Sequence, residues 1–170
     1  MNVMPTEHYK VRVTKDHLVF CSGHFISYEG DKCERLHGHN YRATVEVEGN
    51  LDANRYVFDF IALKNRTKAI TDELDHRMML PTRSQLIHVK EEARSVHVRY
   101  RDREWVFPRD DCVLLPIENT TAELIAFWIG GQLRDQLSRT PNHALESLRI
   151  QVEENFGQSA FCELPLKSRP

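Results

Sequence analysis

The chain has 170 residues, enough for one well-buried domain and too few for two. Its 41% hydrophobic and 28% charged residues exclude a disordered chain. A formal net charge of −2 gives no electrostatic reason to expect nucleic acid or an anionic membrane as a partner. No apolar run approaches the ~20 residues that span a bilayer.

The stretch Met1 to Lys10 lacks the apolar centre of a signal peptide, so a cytoplasmic location is expected. Thiols stay reduced there, and Cys21, Cys33, Cys112 and Cys162 are read as core residues or chemical groups, not as a disulfide framework. Tyr9, Val11 and Val13 alternate with Lys10, Arg12 and Thr14, which predicts a half-buried strand running on to Phe20. Residues 22–38 are rich in Gly, Asp, Glu and Ser and read as a long loop of the kind that carries function. Alternation returns from Tyr41 to Val47 and closes at Gly49-Asn50, and Val57 to Phe60 fits a short paired strand. Phe60, Leu63, Ile70 and Leu74 then share one face of a helix that ends near Asp75-His76.

Residues 81–113 break this pattern and read as an insertion. Val96, Val98 and Tyr100 alternate with His97, Arg99 and Arg101, and Trp105 to Phe107 form the return strand of a hairpin. Arg99, Arg101 and Arg103 read as its solvated face. A second helix is predicted from Asn119–Thr121, with Ile125, Trp128, Ile129 and Leu133 buried. Gly130-Gly131 inside it demands either a close neighbour or a bend. Leu148, Ile150 and Val152 alternate into Glu154, which therefore points inward and needs a partner, and a last strand covers Ser159 to Glu163. The order predicts one α+β domain over residues 1–170, an antiparallel sheet with two helices on one face.

The chemistry concentrates in Cys33-Glu-Arg-Leu-His37-Gly-His39-Asn-Tyr41. If His37 and His39 start a strand, their imidazoles share one face, two steps of ~3.3 Å apart, and both reach one metal ion. His24 can supply a third nitrogen, which leaves a fourth position for water or substrate, as catalytic zinc sites require. Cys33 is open to three readings: a fourth ligand in a closed site, a base or nucleophile beside the metal, or a small loop residue. Asp75-His76 suits proton transfer, since a carboxylate orients an adjacent imidazole.

Phe20-Cys-Ser-Gly-His24 and the block from Cys33 to Tyr41 resemble the signature of the 6-pyruvoyl-tetrahydropterin and 6-carboxy-5,6,7,8-tetrahydropterin synthase family. Asp59-Phe60, Leu74-Asp75-His76, Glu118-Asn119-Thr120-Thr121-Ala-Glu123 and Val152 to Glu154 follow in the family's order. The resemblance implies a tunnelling fold, in a homo-hexamer built as a dimer of trimers, with active sites between subunits. It implies zinc-dependent conversion of 7,8-dihydroneopterin triphosphate to 6-carboxy- or 6-pyruvoyl-tetrahydropterin, on a route to queuosine or tetrahydrobiopterin. Carried over by position, His24, His37 and His39 hold Zn2+, Cys33 is the base, Asp75 and His76 relay protons, Glu154 anchors the pterin, and Thr120 and Thr121 line its pocket. The chain departs from the family in Arg77-Met78-Met79-Leu80 after the Asp-His pair, in the insertion, and at Cys162, where an aromatic is common.

Two other classes are weighed beside this one. A cupin-like metal-dependent oxygenase would bind iron through His37, His39 and Glu46, but needs many short strands and more than the seven glycines present. A noncatalytic interaction module would close its zinc site with Cys33.

Overall fold

A computed structural model of the chain describes residues 7–140 and 145–166. Residues 1–6 of the stretch inspected for a signal sequence lie outside the described residues.

The large sheet is built around one long strand. β1 (Tyr9–Val13) and β2 (Val19–His24) pair in succession along the same edge of β5 (His37–Gly49), and β11 (Leu145–Asn155) takes its other edge. The strand predicted to run unbroken from Tyr9 to Phe20 is thus two strands. A short 3-10 turn at Asp16–Leu18 separates them, and Leu18 is fully buried beneath it. The predicted loop over 22–38 is also shorter than expected: it holds a tiny hairpin, β3 (Ser27–Tyr28) with β4 (Lys32–Cys33). β12 (Gln158–Pro165) closes the sheet beside β11. On the far side, β6 (Arg77–Pro81) lies parallel to β2, and β10 (Cys112–Leu115) lies parallel to β6. The seven-stranded sheet is therefore mixed, where sequence alone predicts an antiparallel one. β5 runs back against β2 and the helix after it reverses the chain once more, so β6 enters the sheet in the direction of β2.

That helix is α1 (Phe60–Asp72), capped by the Asp59 carboxylate, which accepts a hydrogen bond from the Ala62 N–H at 2.7 Å. Val57 and Phe58, predicted as a strand, are a buried approach to the cap instead, and Phe60 is exposed. α2 (Ala122–Leu137) is capped by Thr121 and buries Ile125, Ala126, Ile129, Leu133 and Leu137. Both helices join β1, β2, β5 and β11 in one core. Gly130 answers the packing question posed by its sequence: a Cβ there would lie 2.8 Å from Leu164 Cδ1 and 3.3 Å from Ile150 Cγ1. Gly131 faces open space.

Residues 81–113 contain more than a hairpin. β7 (His88–Glu91), β8 (Ser95–Tyr100) and β9 (Arg103–Pro108) form a separate antiparallel sheet. Its inner face packs Val96, Val98 and Tyr100 with Phe25, Met78, Leu80, Ile87 and Cys112 in a second core. The β8–β9 turn is two residues long, Arg101-Asp102, with Arg101 at a φ of 53°.

Candidate metal centre and active site

His24 ends β2 and pairs across the sheet with His37, while Ser22 pairs with His39. Alternation along β5 puts His37, His39 and Tyr41 on one face. One ring nitrogen from each of His24, His37 and His39 lies within 4.8 Å of the others. Two of the rings have their orientation fixed from behind. His24 Nδ1 lies 2.8 Å from the Thr120 carbonyl oxygen, and His37 Nδ1 lies 2.8 Å from that of Arg35. An N–H on each Nδ1 donates to its carbonyl, so both Nε2 lone pairs face the centre. Burial pulls His39 below the ordinary histidine range, toward the neutral form a ligand needs.

His24 is 1% exposed, and its Nε2 is buried without a hydrogen-bond partner. With the proton on Nδ1, that Nε2 faces the Glu154 carboxylate at 3.2 Å acceptor to acceptor, an arrangement that a bound cation relieves. Three converging imidazoles, one with a buried free lone pair, fit a divalent metal of the zinc type. His24, His37 and His39 would hold it.

Glu154 sits beside the three rings, its Oε1 3.2 Å from His24 Nε2 and 3.6 Å from His39 Nε2. Burial drives the Tyr41 phenol well up, so it stays protonated and donates to Glu154 at 3.4 Å. Glu154 also borders a depression of about 360 Å3 lined by Ile26, Thr121, Ala122, Glu123, Gln158, Ser159 and Ala160. Thr121 thus lines a cavity beside the centre. Thr120, grouped with it from the sequence, does not: it is fully buried, its hydroxyl donates to the Phe25 carbonyl, and its own carbonyl holds His24.

Cys33 and Glu34 part company. Cys33 is half-buried and packs against the second core, and burial raises its thiol above the ordinary cysteine range, only partly offset by Arg103. Among the described residues it is not grouped with the three histidines. Glu34 is, in effect, the neighbour the sequence reading passed over. Its Oε2 is 3.9 Å from His37 Nε2, and it accepts from the Ile26 N–H at 3.4 Å. The signal was adjacency: in extended chain, consecutive side chains take opposite faces, so only one of the two can address the histidines.

Asp75 and His76 form an ion pair, Oδ2 to Nδ1 at 2.9 Å, and Asp75 Oδ1 accepts the Cys21 N–H at 2.7 Å. Their contacts do not reach the imidazoles. His76 is 82% exposed and borders a shallow depression with Cys21, Leu36, His37, Gly38 and Asp111. His37 is the one ring of the three that shares it. Glu46 lies on the opposite face of β5 from His37 and His39 and is engaged by Lys10, Arg12 and Arg149. The iron triad of a cupin is excluded by that alternation. Cys33, packed against the second core, is likewise not grouped with the three histidines as the closed zinc site of a noncatalytic module requires.

The fold and the site together define an α+β protein with a three-histidine metal-type centre at the end of a mixed sheet. Residues 12–165 match the family model described as 6-pyruvoyl tetrahydropterin synthase. The chain belongs to that family, whose members are lyase-type enzymes of pterin biosynthesis. A Methanocaldococcus jannaschii protein described as a 6-carboxy-5,6,7,8-tetrahydropterin synthase is 30% identical over 154 residues, covering 90% of each chain. The dihydroneopterin monophosphate aldolase of Pyrococcus furiosus is 40% identical over 58 residues, 34% of this chain and 48% of its own. The crystal structure of Plasmodium vivax 6-pyruvoyl tetrahydropterin synthase superposes with a TM-score of 0.87 at 29% identity, over 94% of this chain and 99% of that one. A second structure of the P. vivax enzyme replaces a glutamate, described as a catalytic residue, with alanine. The expected tunnelling fold is thereby established.

Proposed function

We propose that this protein is a zinc-dependent lyase acting on 7,8-dihydroneopterin triphosphate, with Glu34 as the base in place of Cys33. The observation that carries the reading is the convergence of His24, His37 and His39 on one point, with Glu34 Oε2 3.9 Å from His37 Nε2 and Cys33 packed against the second core. A catalytic glutamate in the P. vivax enzyme supports it. The product favoured is 6-carboxy-tetrahydropterin, the reaction given in the name of the M. jannaschii relative, with 6-pyruvoyl-tetrahydropterin as the family's other outcome.

Bound zinc supplies Lewis-acid polarisation of a substrate side-chain oxygen. The remaining work falls to the chain. Glu154, with the Tyr41 hydroxyl steadying it, presents carboxylate oxygens to the N–H edge of the pterin, which Thr121 and Ile26 flank. Glu34 removes a proton from the substrate side chain as triphosphate leaves, which after tautomerisation gives the pyruvoyl product; the carboxy product also takes up water and releases the two outer side-chain carbons as acetaldehyde. Asp75 and His76 move protons, and they serve the site of a neighbouring copy in a homo-oligomer of the trimer-pair type. Among the described residues their hydrogen bonds go to Cys21 and Thr71 and not to the three imidazoles.

The test is incubation of the zinc-loaded protein with dihydroneopterin triphosphate and identification of the product by mass. Glu34→Gln is expected to lower kcat by about 10²-fold or more with zinc retained, while Cys33→Ala keeps most turnover. The reverse pattern restores Cys33 as the base. A hydroxymethyl product would instead place the chain with the aldolase of P. furiosus.

A further inference from the structure

β3 and β4 contribute two residues each, and a hairpin of that size is not stable on its own. Yet Glu34 leaves it directly, and a base must be held to within a fraction of an ångström. Glu34 has limited support from its own loop: its N–H donates to the Ile26 carbonyl at 3.0 Å and its carboxylate accepts from the Ile26 N–H.

The missing support comes from the small sheet. The Arg103 guanidinium donates through Nη1 to the Cys33 carbonyl at 3.1 Å and through Nη2 to the Glu34 carbonyl at 2.9 Å. It lies 4.7 Å over the Trp105 ring, and Trp105 stacks at 4.6 Å on Phe25, the residue after the ligand His24. Tyr100 and Arg101 fasten the same loop one step earlier, at the Asp31 carbonyl and carboxylate. From these contacts we infer that Arg103 is a positioning residue for the loop that presents Glu34, and that the β7–β9 sheet is a working part of the active site. The inference rests on Glu34 as the base.

The fit is specific to arginine. Two consecutive carbonyls are spanned by one planar fork that is also stacked on an indole, and a lysine ammonium cannot do both. The side chain reaches inward because the β8–β9 turn has two residues. Tyr100 and Arg103 face each other across it, so Arg103 shares the inner face with Tyr100 although its number matches the parity of outward Arg99.

The experiment uses the zinc-loaded full chain as Arg103→Ala and Arg103→Lys. Amide hydrogen exchange over residues 32–36 is expected to rise about tenfold or more in Arg103→Ala, with the strands of the large sheet unchanged. The kcat for dihydroneopterin triphosphate is expected to fall about tenfold or more, with KM, zinc content and Tm near those of the parent. Added guanidinium ion should restore part of the loss in the alanine variant, and Arg103→Lys should lie between. Parental exchange over 32–36 in Arg103→Ala overturns the clamp. So does a loss of kcat that tracks lost zinc or a lowered Tm and does not respond to guanidinium. Parental turnover in Glu34→Gln overturns the base assignment alone, because exchange reads the clamp without reference to the chemistry.

Discussion

At Asp75 the backbone does most of the electrostatic work. The Cys21 N–H, and then the His76 side chain, hold the carboxyl below the ordinary aspartate range. A depressed folded-state pKa contributes stability that is complete above the unfolded value of about 3.9 and is lost as pH falls through the folded value. Acid titration of the folded chain should therefore show a loss of stability below about pH 4 that Asp75→Asn lacks. Urea unfolding of both proteins between pH 5 and about 2.5 measures it, and parallel curves would remove Asp75 from the account. The same scale shows why some site residues are legible in the sequence and others are not. His37-Gly-His39 is local, and strand alternation brings its two rings together without any knowledge of the fold. His24 is legible by nearness, but the orientation of its buried Nε2 depends on Thr120 arriving from another element. Cys33 stands out by its reactivity, and nothing in the sequence states that it packs against the second core while Glu34 comes within 3.9 Å of His37.

Elements reveal what periodicity can and cannot carry. Both helices and the strands β5, β11 and β12 are legible because one face of each is buried and the pattern repeats. The parallel placement of β6 and β10 is not, because it depends on which neighbour a strand finds after a crossover, and no residue pattern encodes that. The glycine pair in α2 separates two effects that the sequence confounds. Gly131→Ala meets no neighbour and should stabilise by about 0.5–1 kcal/mol through helix propensity. Gly130→Val drives a branched side chain against Leu164 and Ile150 and should destabilise by about 1–3 kcal/mol. Thermal melts of the two variants should move in opposite directions, and a Gly130→Val variant as stable as the parent would show that α2 rides higher above β12 than the 2.8 Å approach requires.

For the whole molecule, an Asp75-His76 pair whose described hydrogen bonds do not reach the three imidazoles raises the question of assembly. A complete site would take its zinc ligands from one copy and its relay from another. Mixing an inactive His39→Ala chain with an inactive His76→Ala chain, by co-expression, should then return about a quarter of parental activity, since each site draws its two halves independently from the pool. No recovery above the separate variants would confine the relay to its own chain or remove it from the reaction. The hexamer expected from the family resemblance is tested in the same sample by its mass in solution.

The two-residue turn at Arg101-Asp102 has a consequence for how this chain can vary over time. Turn tips ordinarily accept insertions and deletions, because little packs against them. Here a single added residue that slipped the register of β9 would invert its faces, sending Glu104 and Val106 inward and Arg103, Trp105 and Phe107 out to solvent. The grip on the Cys33 and Glu34 carbonyls would vanish with no change to a histidine or a carboxylate of the centre. Drift in length at this remote tip is thus as dangerous to the lineage as loss of a ligand, and relatives that keep an arginine facing the glutamate's loop should also keep this turn at two residues.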